Sequence, residues 1–269
     1  MHGVTKKIAV NGTTLAYDEA GSGTPVLLLH AGIADRRMWR AVSDALTDRH
    51  RMIALDLRSY GDSALPPESF AHHDDVVGVL DALDIAQAAL VGCSFGGAVA
   101  IDTALAYPQR VSALALFGTA VSGHEWSEDT EQLWDRLVGE VDQEDLAASA
   151  AGEVRFWVVG PHRRPEDLDP AFIAFAEELD RRALAAEQAL SAVDVVDLDP
   201  PAIGRLDELQ VPVLVTAGAV DIPDIIRLAD RIAAEAPRAV RLPDIPDAAH
   251  LVPLERPAPV AEALRAFLP

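Results

Sequence analysis

The sequence predicts an α/β fold, a mostly parallel β-sheet flanked by helices, carrying a helical insertion in its second half. Three observations support it. Apolar runs of strand length alternate with stretches of helical periodicity between residues 26 and 117. Those runs are continuous rather than alternating, as strands covered on both faces require. The alternation then stops near Ser122 and resumes near Val211.

The elements follow in order. Ile8-Ala9-Val10 and Thr13 to Tyr17 flank Asn11-Gly12, a strong hairpin-turn signal between β-prone runs. After Gly21-Ser22-Gly23, Val26 to Leu29 reads as a buried strand. Arg36 to Leu46 reads as helix and Met52 to Leu55 as strand. Asp74 to Leu83 reads as helix, because Val76, Val77, Leu80 and Leu83 share helical spacing. Ala88 to Val91 is a strand, Ala98 to Ala106 a helix and Val111 to Phe117 a strand. From Ser122 to Leu206 the chain is helix-prone, rich in acidic residues and alanine, and broken by Pro161, Pro165, Pro170, Pro200 and Pro201. Beyond it come a strand over Val211 to Thr216, a helix over Ile225 to Ala236, a strand over Ala239 to Leu242 and a closing helix over Val260 to Phe267. The expected organisation is a core of residues 1–121 and 207–269, interrupted by a helical cap of residues 122–206.

Composition narrows the partners. Of 269 residues, 43 are Asp or Glu and 22 are Lys or Arg, a formal net charge of −21. Such a surface repels phosphate backbones and anionic lipid, so no nucleic-acid or membrane partner is expected. Half the residues are apolar, enough for a large core. The single cysteine makes no internal disulfide, and no Cys/His cluster has zinc spacing, so no metal or other cofactor is expected. Lys6 and Lys7 are not followed by the apolar stretch of a secretory signal, and no run of about 18 apolar residues suggests a membrane span. A cytoplasmic protein acting on a small molecule is the expectation. Nothing in the sequence signals an oligomeric state.

Gly92-Cys93-Ser94-Phe95-Gly96-Gly97 matches G-x-S-x-G between a predicted strand and a predicted helix, the context that motif needs. A sharp strand-to-helix turn lifts the Ser94 hydroxyl clear of the sheet. It also leaves the Phe95 amide, at a helix N-terminus, free to donate to a developing oxyanion. A serine hydroxyl needs a base. Of the eight histidines, His2 lies in the terminus and His50 at the wrong end of the sheet. His72 and His73 read as exposed, and His124 and His162 fall in the insertion. His30 and His250 lie with Ser94 at the carboxyl ends of strands, where open α/β sheets gather their sites.

These motifs resemble those of the α/β-hydrolase fold family, its esterase and lactonase-like members in particular, over nearly the whole chain. His30-Ala31-Gly32 resembles the His-Gly-x oxyanion turn, with Ala31 in place of the usual glycine. Asp56 to Ser63 resembles the D-x-R-G-x-G-x-S loop, with Ser59 replacing a glycine. Gly218 to Asp221 resembles the acid loop, and Ala249-His250 through Pro257 the terminal G-H-x-x-x-x-E-x-P segment. The resemblance implies Ser94 as nucleophile, His250 as general base and acid, and Asp221 as its orienting acid, in the family's chain order. Asp224 and Glu125 are the alternative acids, and Asp224 suits a helix N-cap. The implied oxyanion hole uses the backbone amides of Gly32 and Phe95. His30 is expected to hold its turn rather than act as a base, and Cys93 to pack.

The insertion would cover Ser94, with one or two of Trp126, Trp134, Phe156, Trp157 and Phe172 reaching substrate. His162-Arg163-Arg164 reads as a solvated loop rather than a grip on a substrate carboxylate. Met38 and Trp39 are candidates for the pocket floor. The implied function is a serine hydrolase cleaving a small carboxylic ester or lactone. Its alternatives are carbon–carbon bond or enol-lactone hydrolysis of ring-fission products, cofactor-free haloperoxidase or perhydrolase activity, and a ligand-binding member without turnover. Relatives that open epoxides or remove halide carry Asp where this chain has Ser94.

Overall fold

The computed structural model describes residues 5–65, 68–139 and 145–269. His2 lies outside them. The chain opens with β1 (Lys6–Val10) and β2 (Thr13–Ala20), paired antiparallel with Val10 opposite Thr13. Asn11 and Gly12 between them both have positive φ, 44° and 77°, the geometry Asn-Gly adopts in a two-residue hairpin turn. Then follow β3 (Thr24–Leu29), α1 (Arg40–Asp44), β4 (His50–Leu55), α2 (His72–Ala82), β5 (Ala88–Cys93), α3 (Phe95–Ala106) and β6 (Val111–Phe117). Helices α4 (Glu128–Leu137), α5 (Leu146–Glu153) and α6 (Pro170–Leu190) come next, with a π-helical turn, Val154–Val159, after α5. The chain closes with β7 (Val213–Thr216), α7 (Pro223–Glu235), β8 (Ala239–Arg241), α8 (Val252–Glu255) and α9 (Pro257–Phe267).

Among the described residues the strands form one eight-stranded sheet in the order β1-β2-β4-β3-β5-β6-β7-β8. It is parallel from β4 to β8, and the hairpin adds the two antiparallel strands at one edge. Successive residues of a strand point to opposite faces. Leu27, Leu29, Ile53, Leu55, Leu90, Leu114 and Leu116 pack on one face. Val26, Leu28, Met52, Ala54, Val91, Ala115 and Phe117 pack on the other. Both faces are covered, which is why these strands are apolar at every position. No helix among the described residues is long and apolar enough to cross a membrane.

The structure corrects one predicted element. Arg36 to Leu46 is not one helix. Asp35 caps a 3-10 turn over Arg36–Trp39 by accepting from the Arg37 amide at 3.0 Å, and only five residues of α-helix follow. Among the described residues between β6 and β7 there is no strand. The exception to helix and loop is a single bridge that pairs Val195 with Phe70.

Candidate active site

Parallel strands deliver their following loops to one edge of the sheet. His30, Asp56, Ser94 and Gly118 directly follow β3, β4, β5 and β6, and Asp221 lies in the loop after β7.

The turn after β5 is built around close backbone approach. A Cβ on Gly92 would strike the Gly96 carbonyl and the Gly97 Cα, and one on Gly96 would strike the carbonyls of Leu29 and His30. Glycine at these positions lets α3 start directly against the sheet. Ser94 pays for the sharp reversal with φ 52° and ψ −120°, outside the favoured basins of a non-glycine residue. Its amide donates to Phe117 O at 3.3 Å, and its carbonyl accepts from Gly97, Ala98 and Ala120. The strained backbone is therefore held from both sides.

The Ser94 hydroxyl stands 2.6 Å from His250 Nε2, and His250 Nδ1 stands 3.0 Å from Asp221 Oδ2. Asp221 Oδ1 accepts from the Ile222 amide at 2.8 Å, so both carboxylate oxygens are engaged. Asp221 and His250 are buried and Ser94 is half-buried. The structure thus brings together all three residues the sequence singles out. Of the alternative acids, Glu125 is exposed. Asp224 faces away from the ring. It accepts from the Ser127 amide and hydroxyl at 2.9 and 2.8 Å and pairs with Arg227. Burial opposes its ionisation, yet hydrogen bonds from Thr130, Ser127 and Arg227 hold its pKa down to about 2. Nor does Asp224 cap α7, whose N-cap position is Ile222. It ties α7 to the start of α4 instead.

Phe95 is the first residue of α3, so its N–H lacks an intrahelical acceptor. Among the described residues neither it nor the Gly32 N–H donates to a protein acceptor. The two lie side by side: a Cβ on Gly32 would sit 3.6 Å from Phe95 Cβ. Both residues are half-buried, which leaves this corner accessible. Ala31 causes no strain, because its φ is not in the left-handed region. Ser59 does occupy that region, at φ 78°, but its hydroxyl donates to Ala186 O at 3.1 Å, a tie to α6 that glycine could not make.

His30 bridges two loops. Its Nδ1 is 2.8 Å from Ala31 O, and its Nε2 accepts from the Leu57 amide at 3.1 Å, so the ring is the neutral Nδ1-H tautomer. Burial pushes its pKa down. Cys93 is buried with Sγ 3.5 Å from His250 O, and burial pushes its thiol well up.

Three expectations are corrected. Met38 and Trp39 do not floor a pocket. Both are buried beside the Ala31 turn after β3, where Met38 Sδ accepts from the Ala31 amide at 3.3 Å. His72 is not exposed but buried edge-on between Phe70 and Phe95, at 4.9 and 5.1 Å, and burial lowers its pKa to about 3. Arg163 is not in a solvated loop. It donates to Val158 O, Val159 O and Asp247 O and pairs with Glu255, whose other oxygen accepts from the Ala249 amide at 3.0 Å. The Arg163–Glu255 pair therefore anchors the segment that carries His250.

The aromatic residues divide. Trp157, on the π-helical turn, lies 4.4 Å from the His250 ring, and its carbonyl accepts from the His250 amide at 3.2 Å. With Trp126, Trp134 and Phe156 it lines a cavity of about 510 Å³. Phe172 packs elsewhere, against the opposite core cluster. The carboxylates of Glu153, Asp180 and Glu187, which the sequence reading missed, lie on the other side of the site. Asp180 was detectable, since it interrupts the apolar face formed by Ala176, Leu179, Ala183 and Ala186 along α6.

A family model described as alpha/beta hydrolase fold matches residues 24–257. Among curated proteins the chain is similar to the 2-hydroxymuconate semialdehyde hydrolase of Pseudomonas sp. (strain CF600), with 34% identity over 138 residues, 49% of each chain. The chain spans about half the length of the curated relatives it matches. Among solved structures it is similar to a hydrolase from Pseudomonas aeruginosa PA01, with TM-score 0.78, 28% identity and coverage of 99% of this chain and 98% of that one. A thermophilic esterase from Thermogutta terrifontis gives TM-score 0.77, 27% identity and the same coverage, 99% and 98%.

Proposed function

The chain belongs to the alpha/beta hydrolase fold family. On that premise we propose that it is a serine hydrolase cleaving a small carboxylic ester or lactone through an acyl-enzyme. The observation that carries this reading is the continuous chain from Ser94 Oγ to His250 to Asp221, at 2.6 and 3.0 Å. Ser94 Oγ attacks the carbonyl carbon as His250 Nε2 takes its proton. The N–H groups of Gly32 and Phe95 receive the developing oxyanion. The ester C–O bond breaks as His250 returns the proton to the leaving oxygen. Water then adds to the acyl carbon by the same route, and the acid leaves Ser94. Asp221 holds the ring and stabilises the imidazolium.

Residues 122–206 act as the cap in this reading. Trp157 against His250 and the Ser59–Ala186 hydrogen bond hold it over Ser94. Trp157, which lies against His250 and packs with Trp126, Trp134 and Phe156, suits an apolar leaving group, because the leaving oxygen must face His250. Hydrolysis of a ring-fission ketone by the same three residues is a second reading, favoured by the similarity to the semialdehyde hydrolase.

A fluorophosphonate probe should label the wild-type protein at Ser94 and leave Ser94→Ala unlabelled. Hydrolysis of short aryl esters should vanish in that variant. Undiminished activity in Ser94→Ala would sink the reading. A panel of esters, lactones and ring-fission ketones separates the two substrate classes.

A further inference from the structure

On the side of the site away from His250 stand three carboxylates without a counter-ion. Asp180 is fully buried, and neither of its oxygens has a hydrogen-bond partner. Its ionisation is opposed by the charges of Glu153, at the end of α5, and Glu187, two turns further along α6. Among the described residues no Arg, Lys or His pairs with any of the three. Even Arg182, two residues from Asp180, turns to Asp35 and Asp62. In a chain this rich in arginine the absence of a cation beside Asp180 is notable, because ionising a buried carboxyl without a partner is costly.

The cluster opens towards the oxyanion corner. Glu187 Oε1 is 3.9 Å from where a Cβ on Gly32 would lie, and the Tyr60 hydroxyl is 3.4 Å from the same oxygen. Glu187 is exposed, so its carboxylate is open to an incoming group. Tyr60 itself is buried between the rings of His30 and Phe95. The carboxylates do not converge as a metal site would, since no group of three His, Cys, Asp or Glu among the described residues could hold an ion.

We propose that Glu187 and Glu153, backed by Asp180, form a subsite for an ammonium group on the acyl part of the substrate. A primary ammonium offers three donors on a compact charge and no acceptor, which matches neighbouring carboxyl acceptors. The acyl side is assigned by elimination. The leaving oxygen must face His250 and Trp157, whereas Glu187 stands at Gly32. The preferred substrate class is thus a small amino-acyl ester, hydrolysed to an amino acid and an alcohol. This inference rests on the serine-hydrolase reading.

The naphthyl esters of β-alanine, butyrate and succinate present an ammonium, an isosteric methyl and a carboxylate to the same subsite. At neutral pH the β-alanine ester should exceed the butyrate ester in kcat/KM by about ten- to one-hundredfold, the worth of a charge-assisted hydrogen bond. The succinate ester should be poorest. In Glu187→Gln and Glu153→Gln the ammonium-to-methyl ratio should fall towards one, and a ratio is insensitive to general loss of active protein. Should either variant fail to fold, wild-type inhibition decides: propylammonium should compete with the butyrate ester and propionate should not. Equal treatment of the three esters, a preference for succinate, or a ratio that survives both substitutions would overturn the subsite. If Ser94→Ala still hydrolyses butyrate, the serine-hydrolase reading fails instead.

Discussion

Replacing Asp180 by Asn removes one titratable carboxyl from the cluster at nearly constant volume. Burial, reinforced by Glu153 and Glu187, pushes the Asp180 pKa up to about 9 from its ordinary 3.8. A carboxyl raised in the folded state keeps its proton there while the unfolded chain ionises. Its contribution to stability is fully present below the unfolded pKa and is lost as pH rises to the folded one. Each pH unit inside that window costs about 1.36 kcal/mol, so between about pH 5 and about pH 8 wild type should lose about 4 kcal/mol through this group. Asn has no such dependence. The stability gap between Asp180→Asn and wild type should therefore widen in the variant's favour by about 4 kcal/mol over that interval, a large share of a typical domain stability. Urea unfolding at the two pH values, followed by the fluorescence of the four tryptophans, measures it. A gap of the same size at both would show an ordinary Asp180 carboxyl and refute the picture of an uncompensated buried acid.

Asp221→Asn should lower kcat by on the order of a thousandfold or more, whereas Asp224→Asn should spare kcat and cost about 1–3 kcal/mol of stability by loosening Ser127 at the start of α4. Ester kinetics and urea melts on both variants separate the two carboxylates, and loss of turnover only at Asp224 would reverse the assignment. Cys93 should resist iodoacetamide in the native protein and react once urea exposes it, because it is buried and its thiol is pushed up. Rapid native alkylation, followed by mass spectrometry, would contradict that environment.

The parts of the fold legible in the sequence are those where backbone geometry demands a residue type. Gly92 and Gly96 announce the turn at Ser94 because any Cβ there strikes neighbouring backbone. Asn11-Gly12 announces the hairpin because both residues need positive φ. Features set by side-chain direction were less legible. Asp221 and Asp224 share one loop and helix start, and only orientation turns one to His250 and the other to Ser127. Arg163 and His72 are polar by type, and local sequence reads them as exposed. Contacts distant in sequence, to Glu255 and to Phe95, bury most of the one and nearly all of the other. The carboxylate cluster joins α5 to two positions of α6, so no local window contains it.

The helical segment meets the site at two opposed places, and they differ in chemistry. Trp157 lays an indole against His250 and packs with Trp126, Trp134 and Phe156. Glu187 sets a carboxylate beside Gly32. A substrate whose two ends were alike could enter either way round, and only one entry points its leaving oxygen at His250. An indole at His250 and a carboxylate at Gly32 favour one entry when the substrate has an apolar end and a cationic end. Binding energy gathered away from the reacting bond is then used to orient that bond. Removing the Glu187 charge should therefore lower kcat as well as raise KM for an ammonium ester, since misoriented binding then becomes competitive. A Glu187→Gln effect confined to KM would mean that the Glu187 carboxylate binds the cation without orienting the ester.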